Sequence, residues 1–311
     1  MPCPAKLILF LLPVIFISAP VSAQNLSRAA PSEANAFLDV YFKHKETFVD
    51  DVRIDEIKIK NRKNIRAVAI RPINAIPLHT TILLDTSGSQ HEHANEMRRL
   101  YLEMVNALPI QSIDAVRLIY FNNQIRDIQN VTPSRSLLLK GIDNIRFVGD
   151  TRLYDAIYYA CQTLTENPES RKVMIILSDG SDSGSSKSIE EAYREAIANN
   201  IRVYMFMIIN ERMHYRFSLG MIDLGYGKQK KHIERTGGKV LLVSDLESGR
   251  EEFMQIVDEW NHLKRVDLCV DTSGKSASGL KISVTRKGVK VFYPSFPQFI
   301  AGKSCTISSN R

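Results

Sequence analysis

Five oxygen-bearing side chains, spread over three short segments, could together hold a hard cation. Asp85-Thr86-Ser87-Gly88-Ser89 closes the apolar run Thr81-Ile82-Leu83-Leu84, Thr151 precedes Leu153-Tyr154-Asp155, and Asp179 closes a second apolar run, Val173-Met174-Ile175-Ile176-Leu177. The donors are Asp85, Ser87, Ser89, Thr151 and Asp179, two carboxylates and three hydroxyls. An all-oxygen set suits Mg²⁺, Mn²⁺ or Ca²⁺ and argues against a thiolate or imidazole site for zinc or copper. Both apolar runs are continuous, the pattern of strands buried on both faces of a parallel sheet. The two Asp-bearing segments therefore fall at strand C-termini, the edge at which open α/β sheets bind ligands.

The elements that must position these donors alternate strand and helix through the middle of the chain, which predicts a doubly wound, mostly parallel sheet. After the first donor segment, Ala94, Met97, Tyr101, Met104 and Leu108 recur at helical spacing. Strands are expected over 114–121 and 124–131, joined at Asn122-Asn123, and over 202–209 and 240–243. Helices are expected around Cys161, over 189–198 and over 247–263. Outside this region the text changes. A short helix is expected around Ala34–Phe42 and a half-exposed antiparallel hairpin over 52–71. Further antiparallel strands follow at Val266–Val270, Leu280–Val284 and Val289–Val291.

Asp-x-Ser-x-Ser alone is a weak signal, because a serine-rich turn after a strand is common. The three segments taken in order resemble the metal-ion-dependent adhesion site of von Willebrand factor type A domains. The flanking Thr-Arg-Leu-Tyr-Asp-Ala-Ile and Leu-Ser-Asp-Gly-Ser-Asp are similar to that family's usual surroundings. The resemblance implies that Ser87, Ser89 and Thr151 are direct hydroxyl ligands, while Asp85 and Asp179 bind directly or through water. It implies Mg²⁺ first, with Mn²⁺ or Ca²⁺ as alternatives, and one open coordination position for an Asp or Glu of a protein partner. Asp150 departs from the pattern, where a Gly is more usual. The whole layout also resembles the exported von Willebrand factor A-related proteins of the acidobacterial type, in which a segment similar to Lys281–Val291 closes the chain. The expected organisation is a signal peptide at 1–23, an N-terminal β segment at 24–77, the type A domain at 78–263 and a C-terminal β segment at 264–311.

The leader reading rests on Lys6, the uncharged stretch Leu7–Ser18 and the small-x-small site Val21-Ser22-Ala23. It predicts a periplasmic or extracellular protein without a stable membrane span. Removing that leader leaves 40 basic and 34 acidic residues, a net charge of +6. This mild excess has no aromatic-plus-basic recognition motif beside it, so nucleic acid is not an expected partner. Oligomeric state is not legible. In an oxidising compartment Cys269 and Cys305 are expected to pair, and Cys161 to serve as a small buried apolar residue.

Four further features compete for a role. His91 and His93 are two residues apart and so face different directions on a helix start, unlike paired zinc ligands at i and i+4. Asp182 is expected to shape its loop. Glu211–Lys231 mixes basic and aromatic residues and is a candidate partner surface. Ser87 and Ser89 beside histidines suggest a hydrolase, yet no Gly-x-Ser-x-Gly elbow is present and a cation-bound serine is a poor nucleophile. No catalytic residue is therefore expected. The leading expectation is a non-catalytic binding protein; the alternative is a cell-envelope assembly or scaffold component in which the metal is mainly structural.

Overall fold

The runs expected to be strands buried on both faces divide their side chains between two helical layers. The structure, a computed structural model, describes residues 34–60, 64–73, 76–111, 114–164, 170–209, 224–271, 280–294, 297–300 and 303–305. The proposed leader and residues 211–223 of the basic-aromatic stretch lie outside these. The core sheet has the order β10-β9-β8-β5-β6-β7, built from β5 (Leu78–Asp85), β6 (Ala115–Phe121), β7 (Ile125–Thr132), β8 (Arg171–Ser178), β9 (Ile201–Ile208) and β10 (Lys239–Val243). All neighbours are parallel except β6 and the edge strand β7. Because β6 lies on one side of β5 and β8 on the other, strand order reverses at β5. The crevice that follows opens beyond its C-terminus.

Alternation along the strands fixes the layers. Ile82, Leu84, Ile175, Leu177 and Phe206 pack with α1 (Ala94–Ala107), α2 (Arg135–Asp143) and α6 (Leu246–Asn261). The intervening Leu83, Met174, Ile176 and Met205 pack with α3 (Leu153–Thr163), α4 (Ile189–Ala198) and α5 (Leu224–Arg235). The helix starts are specified locally. Ser188 and Glu191 form a reciprocal capping box before α4, and Asp245 accepts from the Ser248 N–H at 2.8 Å before α6. Gly238, just before β10, admits no side chain, since a Cβ there would lie 1.7 Å from the Val203 carbonyl oxygen.

Two sequence expectations fail outside the core sheet, and helix α2 and the short strand at Gln298–Phe299 were not foreseen. The segment expected as a helix around Ala34–Phe42 is strand β1 (Ala36–His44). It pairs antiparallel with β11 (Lys264–Val270), β13 (Val289–Phe292) and β14 (Gln298–Phe299), and it is buried on both faces. Leu38, Val40 and Phe42 enter a separate β core with Leu268 and Val270, while Tyr41 enters the layer of α6. These ladders override the helical bias of its alanines. The hairpin expected over 52–71 does not form: β3 (Ile57–Lys60) pairs with β12 (Lys281–Val284), whereas β4 (Ile65–Pro72) pairs with β11. Half-buried alternating strands satisfy several partners equally well, so sequence adjacency misled. Helix α2 is too short and too polar at its ends to stand out from its surroundings. Contacts group residues 31–311 as one unit, in which the N- and C-terminal strands pair with each other. Among the described residues no helix is long and apolar enough to cross a membrane.

Cys269 on β11 is bonded to Cys305, 36 residues on, and Cys161 is free and buried. Burial also pushes the Cys161 thiol well above the ordinary thiol range, as a packing role requires. Closing a loop of this size stabilises by about 3–4 kcal/mol. Thermal unfolding with and without reductant should therefore show a drop in Tm on reduction, and alkylation of the folded, oxidised protein should leave Cys161 unlabelled.

Candidate metal centre

Asp85 is the last residue of β5, and its side chain is 0% exposed. Its Oδ2 accepts from the Ser178 Oγ at 2.5 Å and its Oδ1 from the Ser87 N–H at 2.9 Å. The Tyr101 hydroxyl of α1 donates to the Asp85 carbonyl at 2.8 Å, fixing the strand end against the helix. From there a chain of oxygens leads outward. Ser87 Oγ lies 3.0 Å from Ser89 Oγ, and Ser89 Oγ donates to Asp179 Oδ2 at 3.1 Å. Gln90 Nε2 donates to the same Asp179 oxygen at 3.0 Å. Four of the five expected donors thus stand in one connected cluster.

The fifth arrives through backbone. The Val148 N–H donates to the Thr86 carbonyl at 2.8 Å and the Gly88 N–H to the Gly149 carbonyl at 2.8 Å, strapping the loop before α3 to the loop after β5. Thr151 is buried at the end of that strap. Its N–H donates to Ser183 Oγ at 3.1 Å, and its carbonyl accepts from the N–H groups of Ser183 and Gly184 at 2.9 and 3.0 Å. Thr151 therefore bridges the first loop and the loop after β8. Gly180 lets that last loop turn directly after Asp179: its φ is +79°, and a Cβ there would meet the Met207 side chain at 2.6 Å.

The electrostatics of the cluster are unbalanced. Burial first, and then the charge of Asp179, push the Asp85 carboxyl up to about 6, against the hydrogen bonds from Ser178 and Ser87. No Lys or Arg among the described residues pairs with Asp85 or Asp179. A buried carboxylate, a second carboxylate and converging hydroxyls without a counter-cation are the donor chemistry that a hard divalent ion completes. No group of three or more His, Cys, Asp or Glu suited to a metal occurs among the described residues, so a nitrogen or sulfur centre has no ligands there.

The competing features fall outside the cluster. His91, Glu92 and His93 are exposed on a 3-10 turn over Gly88–His93, and His93 reaches only Glu96, at 3.4 Å. Asp150 is exposed. Asp182 Oδ1 accepts from the Tyr154 N–H at 3.2 Å and from Ser185 Oγ at 2.5 Å, joining its loop to the start of α3. Asp155 anchors the same loop, accepting from the Ser186 and Lys187 N–H groups. Ser178 and Gln90 were missed by sequence reasoning. The β5–β8 register, which pairs Leu84 with Leu177, sets Ser178 beside Asp85, and only strand pairing reveals it. Beside Ser89 and Asp179 opens a cleft of about 270 Å³, floored by Met97, Leu100 and Val243 and rimmed by Glu92 and Glu96.

Residues 81–234 match the von Willebrand factor type A domain family. This chain carries a von Willebrand factor type A domain. None of the curated proteins matches it in sequence. Among solved structures, a von Willebrand factor type A protein from Catenulispora acidiphila is 11% identical, with 87% of this chain and 75% of that chain covered and a TM-score of 0.50. BatB from Bacteroides thetaiotaomicron is 18% identical over 59% of this chain and 98% of its own, with a TM-score of 0.47. Proximal thread matrix protein 1 from the mussel byssus, with a zinc-occupied MIDAS motif, is 15% identical over 60% of this chain and 48% of its own, with a TM-score of 0.48. At 11% identity the likeness to the Catenulispora protein is one of fold. The type A match includes four of the cluster's elements, β5, α1, α3 and β8, and stops short of α6 and the terminal strands.

Proposed function

We propose that this protein is an exported, non-catalytic binding protein whose divalent-cation site recruits an acidic side chain of a protein partner. The observation that carries the reading is Asp85, fully buried, aligned with Ser87, Ser89 and Asp179, and without a counter-cation. Asp85, Ser87, Ser89, Thr151 and Asp179 would hold the ion, with Mg²⁺ the leading candidate. The ion would supply a positive charge that a partner's carboxylate can neutralise. The protein's own residues orient and exclude water: Ser178 and Tyr101 fix the strand end that bears Asp85, Gln90 holds Asp179, and the apolar wall of Met97 and Leu100 lowers the local dielectric. Type A domains are in general non-enzymatic interaction modules, and here no hydrogen bond among the described residues joins Ser87 or Ser89 to a histidine. The leader-like sequence of residues 1–23 supports export.

A second reading, an envelope scaffold with a structural metal, is favoured by one observation: the N-terminal strand β1 pairs with β11 and β13 near the other end of the chain, and the Cys269–Cys305 bond ties β11 to the residues that follow. Calorimetric titration of Mg²⁺, Mn²⁺, Ca²⁺ and Zn²⁺ into the full chain separates the two. Saturable binding that disappears in both Asp85→Ala and Thr151→Ala is the expected result, followed by EDTA-sensitive capture of an acidic partner. Partner binding indifferent to EDTA would favour the scaffold.

A further inference from the structure

A chain of hydrogen bonds runs from the layer of α4 and α5 to the buried carboxylate of the metal centre. Its outer end is Tyr193 on α4 and its middle is Gln229 on α5, which are 0% and 1% exposed. The Tyr193 hydroxyl donates to Gln229 Oε1 at 2.7 Å, and Gln229 Nε2 donates to the Gly180 carbonyl at 3.2 Å. The Gly180 N–H donates in turn to Ser178 Oγ at 3.1 Å, and Ser178 Oγ donates to Asp85 Oδ2 at 2.5 Å. Gly180 directly follows Asp179, so the chain runs through the neighbour of one carboxylate of the cluster and ends on the other.

The two backbone groups of Gly180 fix the direction of every bond. A carbonyl can only accept, so the Gln229 amide turns Nε2 toward Gly180 and Oε1 toward Tyr193, whose hydroxyl then donates. An N–H can only donate, so Ser178 Oγ accepts from Gly180 and keeps its own proton for Asp85. Each donor thus points toward Asp85, and aligned hydrogen bonds in a dry interior strengthen one another. The stem of Gln229 lies against the same turn, its Cγ 3.7 Å from where a Gly180 Cβ would stand. Packing of α5 on the sheet needs neither of the Gln229 bonds, because the fully buried Ile233 on the same helix enters the apolar layer.

We infer that Gln229 is a positioning residue of the cation site. Through Gly180 it holds the turn that presents Asp179 and keeps Ser178 donating to Asp85, so both carboxylates are set before an ion arrives. The inference rests on the reading that Asp85, Ser87, Ser89, Thr151 and Asp179 hold a divalent cation. Loss of partners that orient metal ligands lowers metal affinity by about 10- to 100-fold.

Calorimetric titration of Mg²⁺ and Mn²⁺ into the full chain tests it, beside thermal unfolding in EDTA. Gln229→Met fills a similar volume without either hydrogen bond, and it should raise the dissociation constant by about tenfold. Ile233→Val, which loosens the packing of the same helix, should lower Tm and leave the dissociation constant unchanged. Should Gln229→Met not fold, Gln229→Asn carries the test with the same expected rise, since its amide is a methylene too short to reach both partners. An unchanged dissociation constant in the Gln229 variant, or an equal rise in Ile233→Val, would overturn the inference and leave the cation site standing. Absence of saturable binding in the unsubstituted protein would overturn the cation site and the inference together.

Discussion

Asp85→Asn should stabilise the metal-free protein at neutral pH and, in the same molecule, abolish divalent-cation binding. The carboxyl of Asp85 is raised from an ordinary 3.8 to about 6 by burial and by the charge of Asp179. A raised folded-state pKa contributes stability that is fully present below the unfolded value, and that stability is lost as pH rises through about 6. About two pKa units at roughly 1.4 kcal/mol each give a difference of about 3 kcal/mol. Urea unfolding in EDTA should show the two proteins converging near pH 4 and separating by about that amount at pH 8, with the Asn variant the more stable. Mg²⁺ at a thousandfold its dissociation constant should reverse the order, since it contributes about 4.1 kcal/mol to the protein that binds it and nothing to the variant. A pH-independent difference would show that Asp85 is not an isolated buried charge in the apo state. The cation-binding reading would then lose its main support.

The second large effect lies at the other edge of the sheet. Asp39→Ala leaves the guanidinium of Arg265, 1% exposed and stacked 3.7 Å above the Phe37 ring, without its bidentate partner. Removing one member of a buried ion pair costs about 3–5 kcal/mol, because the remaining charge stays desolvated. Asp39→Ala combined with Arg265→Met should recover a large part of that loss, as removal of both charges ends the desolvation penalty. Chemical denaturation of the two single variants and the double variant measures this directly. A loss below about 1 kcal/mol for Asp39→Ala would mean that water reaches Arg265 and that β1 is held by its ladders alone.

The two predictions mark the boundary between what the sequence carries and what it does not. Asp85 was legible because a strand that is apolar on both faces leaves few polar positions, and a carboxylate at its end stands out. Asp39 was not. It interrupts Phe37-Leu38 and Val40-Tyr41-Phe42 in a segment expected as a helix, and its partner Arg265 lies 226 residues away. The strands β3 and β4 misled for a related reason. Their alternating faces are correct, but their partners are β12 and β11 near the other end of the chain.

By itself, the sequence determined the alternation of buried strands and helices, the strand ends at which the donors stand, and the chemical type of those donors. Each of these follows from local periodicity and residue chemistry, which a chain carries whatever its partners. Only the tertiary structure decided that Ser178 backs Asp85, that Gln90 holds Asp179, that β1 is a strand, and that Asp39 pairs with Arg265. Those outcomes depend on register and on contacts between distant segments. A one-residue change in strand pairing would move the strand side chains among them to the opposite face.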